Sequence, residues 1–202
     1  GGTLSGTMLN CDLTPTGAGT PFVTVKNGLT LYGIASVGIG SLSSHLDFEG
    51  IQTLGGTGQV LFSSTTSNAL RPTSGTLTID SLITIHGQAG TVGNSTLTTV
   101  NQGRISSDVV GGTITIDGAN WVNTGRIEAI NGATLKLAGT VATPDLGDFR
   151  GTAGTVKLTG TLLNTGSTLA LNATTGPLQL ALGTILGGAV TGAGGSTLLY
   201  TN

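Results

Sequence analysis

The segment His45–Gly50, HLDFEG, holds the densest group of side chains in this chain that could do acid–base chemistry. Asp47 and Glu49 are separated by one residue, so a strand here would place both carboxylates on one face. Two carboxylates with a nearby imidazole could hydrolyse a polysaccharide by general acid–base catalysis. Leu46 and Phe48 alternate with these acids, which favours an outward polar strand face, and we expect no catalytic residues and no enzyme.

A second acidic group, Asp145 and Asp148 beside Arg150 in DLGDFR, could form a calcium loop or a salt-bridged turn. Calcium takes six to eight oxygen ligands, so the salt-bridged turn is favoured. His45 and His86 are isolated, with no second ligand at a metal-binding spacing. We therefore expect no metal and no cofactor.

Threonine pairs recur in which the two threonines flank a single residue. They are Thr76/Thr78, Thr96/Thr98 and Thr113/Thr115, and the pattern then changes to Thr134/Lys136 and Thr155/Lys157. Ordered hydroxyls on a flat face would suit ice binding, but a charged lysine spoils such a face. Ordinary outward strand positions are the favoured interpretation. Asn94 and Asn172 also fit the glycosylation acceptor pattern, which arises easily by chance in a threonine-rich chain.

Charge is sparse and recurs at a fixed period. The net charge of −2 gives no electrostatic case for nucleic-acid binding. Arg104 and Arg126 are separated by one repeat, as are Lys136 and Lys157, so stacking would bring like charges together. We expect these cations to be solvated or to pair with acids on neighbouring strands; Glu128 and Asp108 are candidate partners.

The chain has one cysteine, Cys11, and so no internal disulfide. In LNCDL it alternates with Leu9 and Leu13, which predicts a buried, inert thiol. An interchain disulfide is the alternative. No stretch of eighteen apolar residues is present, so membrane insertion is not expected.

Repeats define the fold class. VNQGRI begins at Val100 and VNTGRI at Val122, and the strand patterns GGTITIDG, GATLKLAG and GTVKLTG follow at intervals of about 21 residues. Each pattern alternates with period two, which is typical of strands, and Gly is 36 of 202 residues. We predict an all-β, right-handed parallel β-helix of nine to ten rungs, each of about 20–22 residues; a β-sandwich is the alternative.

Stacked rungs place equivalent residues in ladders. We predict interior aliphatic ladders of Val100 on Val122 and of Ile105 on Ile127. Asn101 on Asn123 would form an asparagine ladder at a corner, with side-chain amides bonded along the axis. Nine to ten rungs would make a rod of about 45 Å.

A family resemblance follows from NGLTLYG (Asn27–Gly33), GIQTLGGTGQVLF (Gly50–Phe62), ITIHGQAGTVG (Ile83–Gly93) and GTLLNTGSTLALN (Gly160–Asn172). These stretches resemble the repeats of very large bacterial surface proteins, which are similar to autotransporter passengers and filamentous haemagglutinins. The resemblance implies an extracellular or cell-surface location and a structural or adhesive role. It implies no catalytic residues.

The two ends of the chain share a phrase: GGTLSG at Gly1–Gly6 and GGAVTG at Gly187–Gly192. No charged residue follows Lys157, and no polar or helical cap is visible at either end, whereas soluble solenoids normally cap their terminal rungs. We expect uncapped edges that join head to tail, and lateral packing is a further option. The assembly edges would include Gly1, Gly2, Gly187, Gly188, Leu198 and Tyr200.

Residues 1–202 are thus interpreted as one β-solenoid unit of a longer tandem array, with another copy following Asn202. The predicted function is that of a structural repeat in an extracellular fibre, stalk or matrix. The alternative is an adhesin that binds a glycan or a surface. A polysaccharide-active enzyme and an ice-binding protein are less favoured.

Overall fold

Short aliphatic–polar alternations separated by glycine and asparagine turns fold into stacked strands, as the period predicts. A computed structural model describes residues 1–201. Strands coil into a parallel β-solenoid of about nine turns, and every pairing between named strands in this range is parallel. This confirms the solenoid and excludes the β-sandwich. Successive turns, here called rungs, present three strand positions that we name faces A, B and C.

Face A begins each rung, and its strands pair in one long sheet. They are β1 (Gly2–Leu9), β2 (Phe22–Leu31), β4 (His45–Phe48), β7 (Ala69–Pro72), β10 (Ala89–Asn94), β13 (Thr113–Gly118), β16 (Thr134–Leu137), β19 (Thr155–Leu158), β22 (Leu178–Ala181) and β25 (Leu198–Thr201).

Face B is occupied by the second halves of β1 and β2, which bend around the corner, and then by separate strands. These are β5 (Gln52–Gly56), β8 (Thr76–Ile79), β11 (Thr98–Asn101), β14 (Val122–Asn123), β17 (Thr140–Ala142), β20 (Thr161–Leu163) and β23 (Thr184–Leu186).

Face C completes each rung. Its strands are β3 (Ile34–Val37), β6 (Gln59–Phe62), β9 (Thr84–Gly87), β12 (Arg104–Ser107), β15 (Arg126–Ala129), β18 (Asp148–Arg150), β21 (Thr168–Leu171) and β24 (Ala189–Gly192). A 3₁₀ helix, Thr143–Leu146, lies between β17 and β18.

Rung length varies more than the repeat period predicts. The rung that leads from Leu180 to its partner Tyr200 is shorter than the rung that leads from Leu46 to its partner Leu70. The strands keep their register, so the variation falls in the turns between them.

Aliphatic rows fill the interior and run along the axis. The face A row is Leu46, Leu70, Val92, Ile116, Leu137 and Leu158, each at most 2% exposed. The face C row includes Ile85, Ile105 and Ile127, also buried. Each row is stacked at the spacing of parallel strands, about 4.8 Å, so the core is a continuous column. Residues 1–201 contain no helix long and apolar enough to cross a membrane.

The phrase shared by the two ends does not mark equivalent positions. Gly1–Gly6 leads into and forms the face A half of β1, which pairs with β2. Gly187–Gly192 instead forms a corner and then β24 on face C, paired with β21. The similarity therefore reflects the shared chemistry of glycine turns and short strands. Asn202, after which another copy was predicted, lies outside the described residues.

Candidate functional site

The acids of the HLDFEG segment are each neutralised by a cation one rung away. Asp47 Oδ1 accepts a hydrogen bond of 2.8 Å from Arg71 Nε. Glu49 pairs with Lys26 at 2.9 Å, and both of these side chains are about half exposed. Arg71 Nη2 also lies 3.0 Å from His45 Nδ1. The two carboxylates thus face different partners, and their arrangement serves to hold strands together.

Face C carries the largest cluster of charges, in β12, β15 and β18. Arg104 pairs in register with Arg126, as predicted, and Arg126 with Asp148. Arg104 Nε donates to Glu128 Oε1 at 2.6 Å, and Arg126 Nε donates to Asp148 Oδ2 at 3.1 Å. The like charges are therefore compensated, because each arginine contacts an acid one rung further along the axis.

Asp148 also accepts from Arg150, so that DLGDFR forms a salt-bridged turn and strand. Arg150 Nη2 lies 2.8 Å from Asp148 Oδ2. The hydrogen bond from Arg150 lowers the pKa of the Asp148 carboxyl below its usual range, and Arg126 adds to this effect. The same contact raises the pKa of Arg150. Asp145 lies apart in the 3₁₀ helix.

Asp108, the other candidate partner of the arginines, contacts a histidine instead. Its Oδ2 atom lies 3.0 Å from His86 Nδ1, and its Oδ1 accepts from the Gly87 backbone N–H. His86 Nε2 lies 3.0 Å from Gln59 Oε1 on the preceding rung. Within residues 1–201, no three His, Cys, Asp or Glu side chains come together as a metal ligand set.

The asparagine ladder lies in the interior of face B. Asn101 and Asn123 are 3% and 2% exposed, and Asn101 Nδ2 donates to Asn123 Oδ1 at 2.7 Å. Asn123 Nδ2 continues the chain of amides to the Leu146 carbonyl oxygen at 2.7 Å. These amides extend the row that contains Leu54 and Ile79.

The predicted interior position of Val100 and Val122 is wrong. The two valines do pair in register, but both are only partly buried and point outward. The neighbouring residues, Thr99 and Asn101, are the inward ones, because they pair with buried Leu77 and Ile79.

The prediction for Cys11 is also wrong, because its side chain is exposed. Leu9 and Leu13 both pack against the core, as their alternation indicated. β1 ends at Leu9, however, and the chain bends before Leu13, so period-two alternation does not continue through Cys11.

The threonine pairs do not share one face. Thr76 and Thr78 point outward on face B, whereas Thr113 and Thr115 point outward on face A. Thr96 lies in a turn, where its N–H and hydroxyl both donate to Asn94 Oδ1. The hydroxyls therefore form short separate rows.

Lys136 and Lys157 stack in register on face A, and neither forms an ion pair within residues 1–201. Both asparagines of the glycosylation pattern cap turns. Asn94 Oδ1 accepts from the backbone N–H of Thr96, and Asn172 Oδ1 accepts from the backbone N–H groups of Thr174 and Thr175.

The predicted edge residues lie at two structural locations. Gly187 and Gly188 form the corner before β24, where Asn164 Nδ2 donates to the Gly187 carbonyl oxygen at 3.1 Å. Leu198 and Tyr200 lie on β25 and are 40% and 75% exposed. At the other end, Gly2 pairs with Val23.

The sequence did not single out Arg71 or Asp117 as site residues. The signal for Arg71 was its position one rung after Asp47, the acid that it contacts. Asp117 is a partly buried carboxylate that accepts no side-chain hydrogen bond and forms no ion pair among residues 1–201. It lies in register with Gly93 on the preceding rung.

The geometry defines a parallel β-solenoid protein in which four ion pairs between charged side chains join adjacent rungs. No family model, no curated protein and no solved structure matches the chain. Its function must therefore be inferred from its own residues.

Proposed function

We propose that this chain is a structural unit of an extracellular fibre, stalk or matrix protein, and that its rungs continue into further rungs at its edges. The support is physical. A column of aliphatic rows, bonded along the axis by parallel strands, makes a stiff rod. Four of the nine acids, Asp47, Glu49, Glu128 and Asp148, are matched to arginine or lysine side chains on adjacent rungs.

The observation that carries this proposal is the change in exposure along the inner rows of face A. Leu178 is 2% exposed, but Leu198, which pairs with it one rung later, is 40% exposed. Tyr200, in the row of Leu158 and Leu180, is 75% exposed. Another rung on β25 would bury these inward side chains as every earlier rung buries its predecessor.

Strand edges without a partner strand among residues 1–201 accompany these side chains. Among residues 1–201, β23, β24 and β25 each end a sheet, and β1 pairs with β2 alone. Exposed strand edges recruit further strands because their N–H and C=O groups lack partners. A second copy of the chain would satisfy them, and head-to-tail contacts between copies generate open filaments.

A matched pair of substitutions tests the proposal. Leu198 and Leu199 are both 40% exposed on β25, but Leu198 belongs to the inner row and Leu199 to the outer row above Gln179. Leu198→Asp should abolish self-association of the chain in sedimentation velocity, because it places a carboxylate where the next rung packs. Leu199→Asp should leave self-association intact.

Two results would contradict the proposal. Wild-type protein that sediments as a monomer at every concentration has no end-to-end contact. Equal loss of association in both variants would place the contact on the outer surface of face A.

A further inference from the structure

An open polar depression of about 300 Å³ lies on the outer surface of face A, over the strands β4, β7, β10 and β13. Ala69, Thr91 and Gly93 form its floor, so that small side chains leave a hollow where longer ones stand elsewhere. Gly93 has φ +101°, and a Cβ there would overlap the Asp117 carbonyl oxygen. The backbone therefore requires glycine at this position.

Arg71 provides the hydrogen-bond donors at one end of the depression. Asp47 and His45 hold its Nε and Nη2 atoms, while Nη1 forms no hydrogen bond within the described chain. His45 is itself fixed by a contact of 3.1 Å between Nε2 and the Ser67 carbonyl oxygen. The guanidinium is thus positioned by protein groups, and Arg71, which lines the depression, keeps Nη1 donors that no residue among 1–201 occupies.

Asp117 provides an acceptor at the other end. Its carboxylate has no hydrogen-bond or ion-pair partner in residues 1–201, although the residue is partly buried. Gly93 separates it from Arg71 in the same outward row, so the two residues lie two rungs, or about 10 Å, apart along the axis. Thr91 and Ser95 contribute hydroxyls to the lining.

This chemistry selects among ligand classes. An anionic polymer would meet the Asp117 carboxylate, and an apolar ligand would find almost no apolar surface to bury. A peptide strand binds best at a sheet edge, and this surface is a sheet face. A ligand with hydroxyl groups along its length can donate to the Asp117 carboxylate and accept from the Arg71 guanidinium.

We propose that this depression, bounded by Arg71 and Asp117, binds a short neutral oligosaccharide that lies along the solenoid axis. The site goes beyond the structural role, because a rod needs no such hollow. The lining has no aromatic side chain for a sugar ring to stack on, so the affinity is weak, with a dissociation constant on the order of 1 mM. Repetition along a fibre would strengthen attachment through multivalency.

The test is an NMR titration of the chain, below the concentration at which it self-associates, with maltotriose, cellotriose and chitotriose, followed by backbone amide shifts. At least one trisaccharide should shift the amides of Thr91, Gly93 and Asp117 in a saturable manner. Asp117→Asn should weaken that binding about tenfold, because it removes a charged acceptor. Asp145→Asn is the matched control, a carboxylate in the 3₁₀ helix between faces B and C, and it should leave binding unchanged.

A second pair of variants tests the location by filling space. Thr91→Trp should abolish binding, whereas Thr134→Trp, at an outward face A position outside the depression, should not. Saturable shifts from none of the three sugars would overturn the proposal, as would equal weakening by the two aspartate variants. Binding of trigalacturonic acid alone would overturn the assignment to a neutral sugar. The ends of the rod are untouched in these variants, so sedimentation reports separately on the structural role.

Discussion

The buried asparagine ladder gives the sharpest prediction about what holds the rungs together. Asn123→Ala removes two hydrogen bonds, one received from Asn101 and one donated to the Leu146 carbonyl oxygen, each 2.7 Å long. A net hydrogen bond contributes about 1 kcal/mol, and a buried polar group left without its partner costs about 1–3 kcal/mol. We therefore expect a loss of about 3 kcal/mol in the free energy of unfolding.

The assay follows urea unfolding with two probes. Trp121, the single tryptophan, is 1% exposed and lies next but one to Asn123, so its fluorescence reports on that rung. Far-UV circular dichroism reports on the whole solenoid. In thermal unfolding, the same loss should lower Tm by about 6–12 °C for a chain of this size.

A double-mutant cycle isolates the contact between the two amides. Asn101→Ala and Asn123→Ala should couple by about 1 kcal/mol, because each removes the same hydrogen bond. Gln102→Ala is the control, an exposed amide side chain next to Asn101. Wild-type stability in Asn123→Ala, or an equal loss in Gln102→Ala, would refute the stabilising role of the ladder.

Three further predictions concern charge and packing. Glu128→Ala should lower the free energy of unfolding in urea by about 2 kcal/mol, because the Glu128 side chain is 8% exposed. Glu49→Ala, which removes an exposed ion pair, should lower it by less than about 0.5 kcal/mol. Equal losses in the two variants would show that burial of the carboxylate is unimportant. Asp148 has a folded pKa below its ordinary value of 3.8, so its stabilisation is present above that value and is lost as pH falls through the folded pKa. Asp148→Asn should therefore flatten the decline of the urea midpoint in acid, and an unchanged decline would contradict this linkage. Gly125→Ala should lower the free energy of unfolding by at least about 2 kcal/mol, because a Cβ there would overlap backbone atoms of the preceding rung. A Cβ at Gly2 meets no atom within 4 Å, so Gly2→Ala should leave the melting temperature unchanged. Equal melting temperatures for these two variants would contradict the close approach of the rungs.

The repeat period predicted the solenoid because strand spacing and residue type are both local. Ile105 and Ile127 lie where the period puts them, in the buried row of face C. The short strand TTVN does not reveal which of its side chains face inward. Its hydrophobicity predicts an inward Val100, but the register with Ile79 places Asn101 in the interior.

The polar depression was harder to foresee. Its two ends, Arg71 and Asp117, are distant in sequence, and each belongs to a different rung. Rungs vary in length, so their alignment depends on turn lengths that no single period reveals. The prediction that Cys11 is buried was wrong for a related reason, because a bend interrupts the alternation on which it rested.

The most direct test of the structural role is electron cryomicroscopy of the wild-type chain at a concentration where it self-associates. We expect rods whose lengths are multiples of one unit, about 43 Å for nine rungs, with strands continuing at about 4.8 Å across each junction. Particles that associate side by side, with β25 left exposed at every end, would contradict that role.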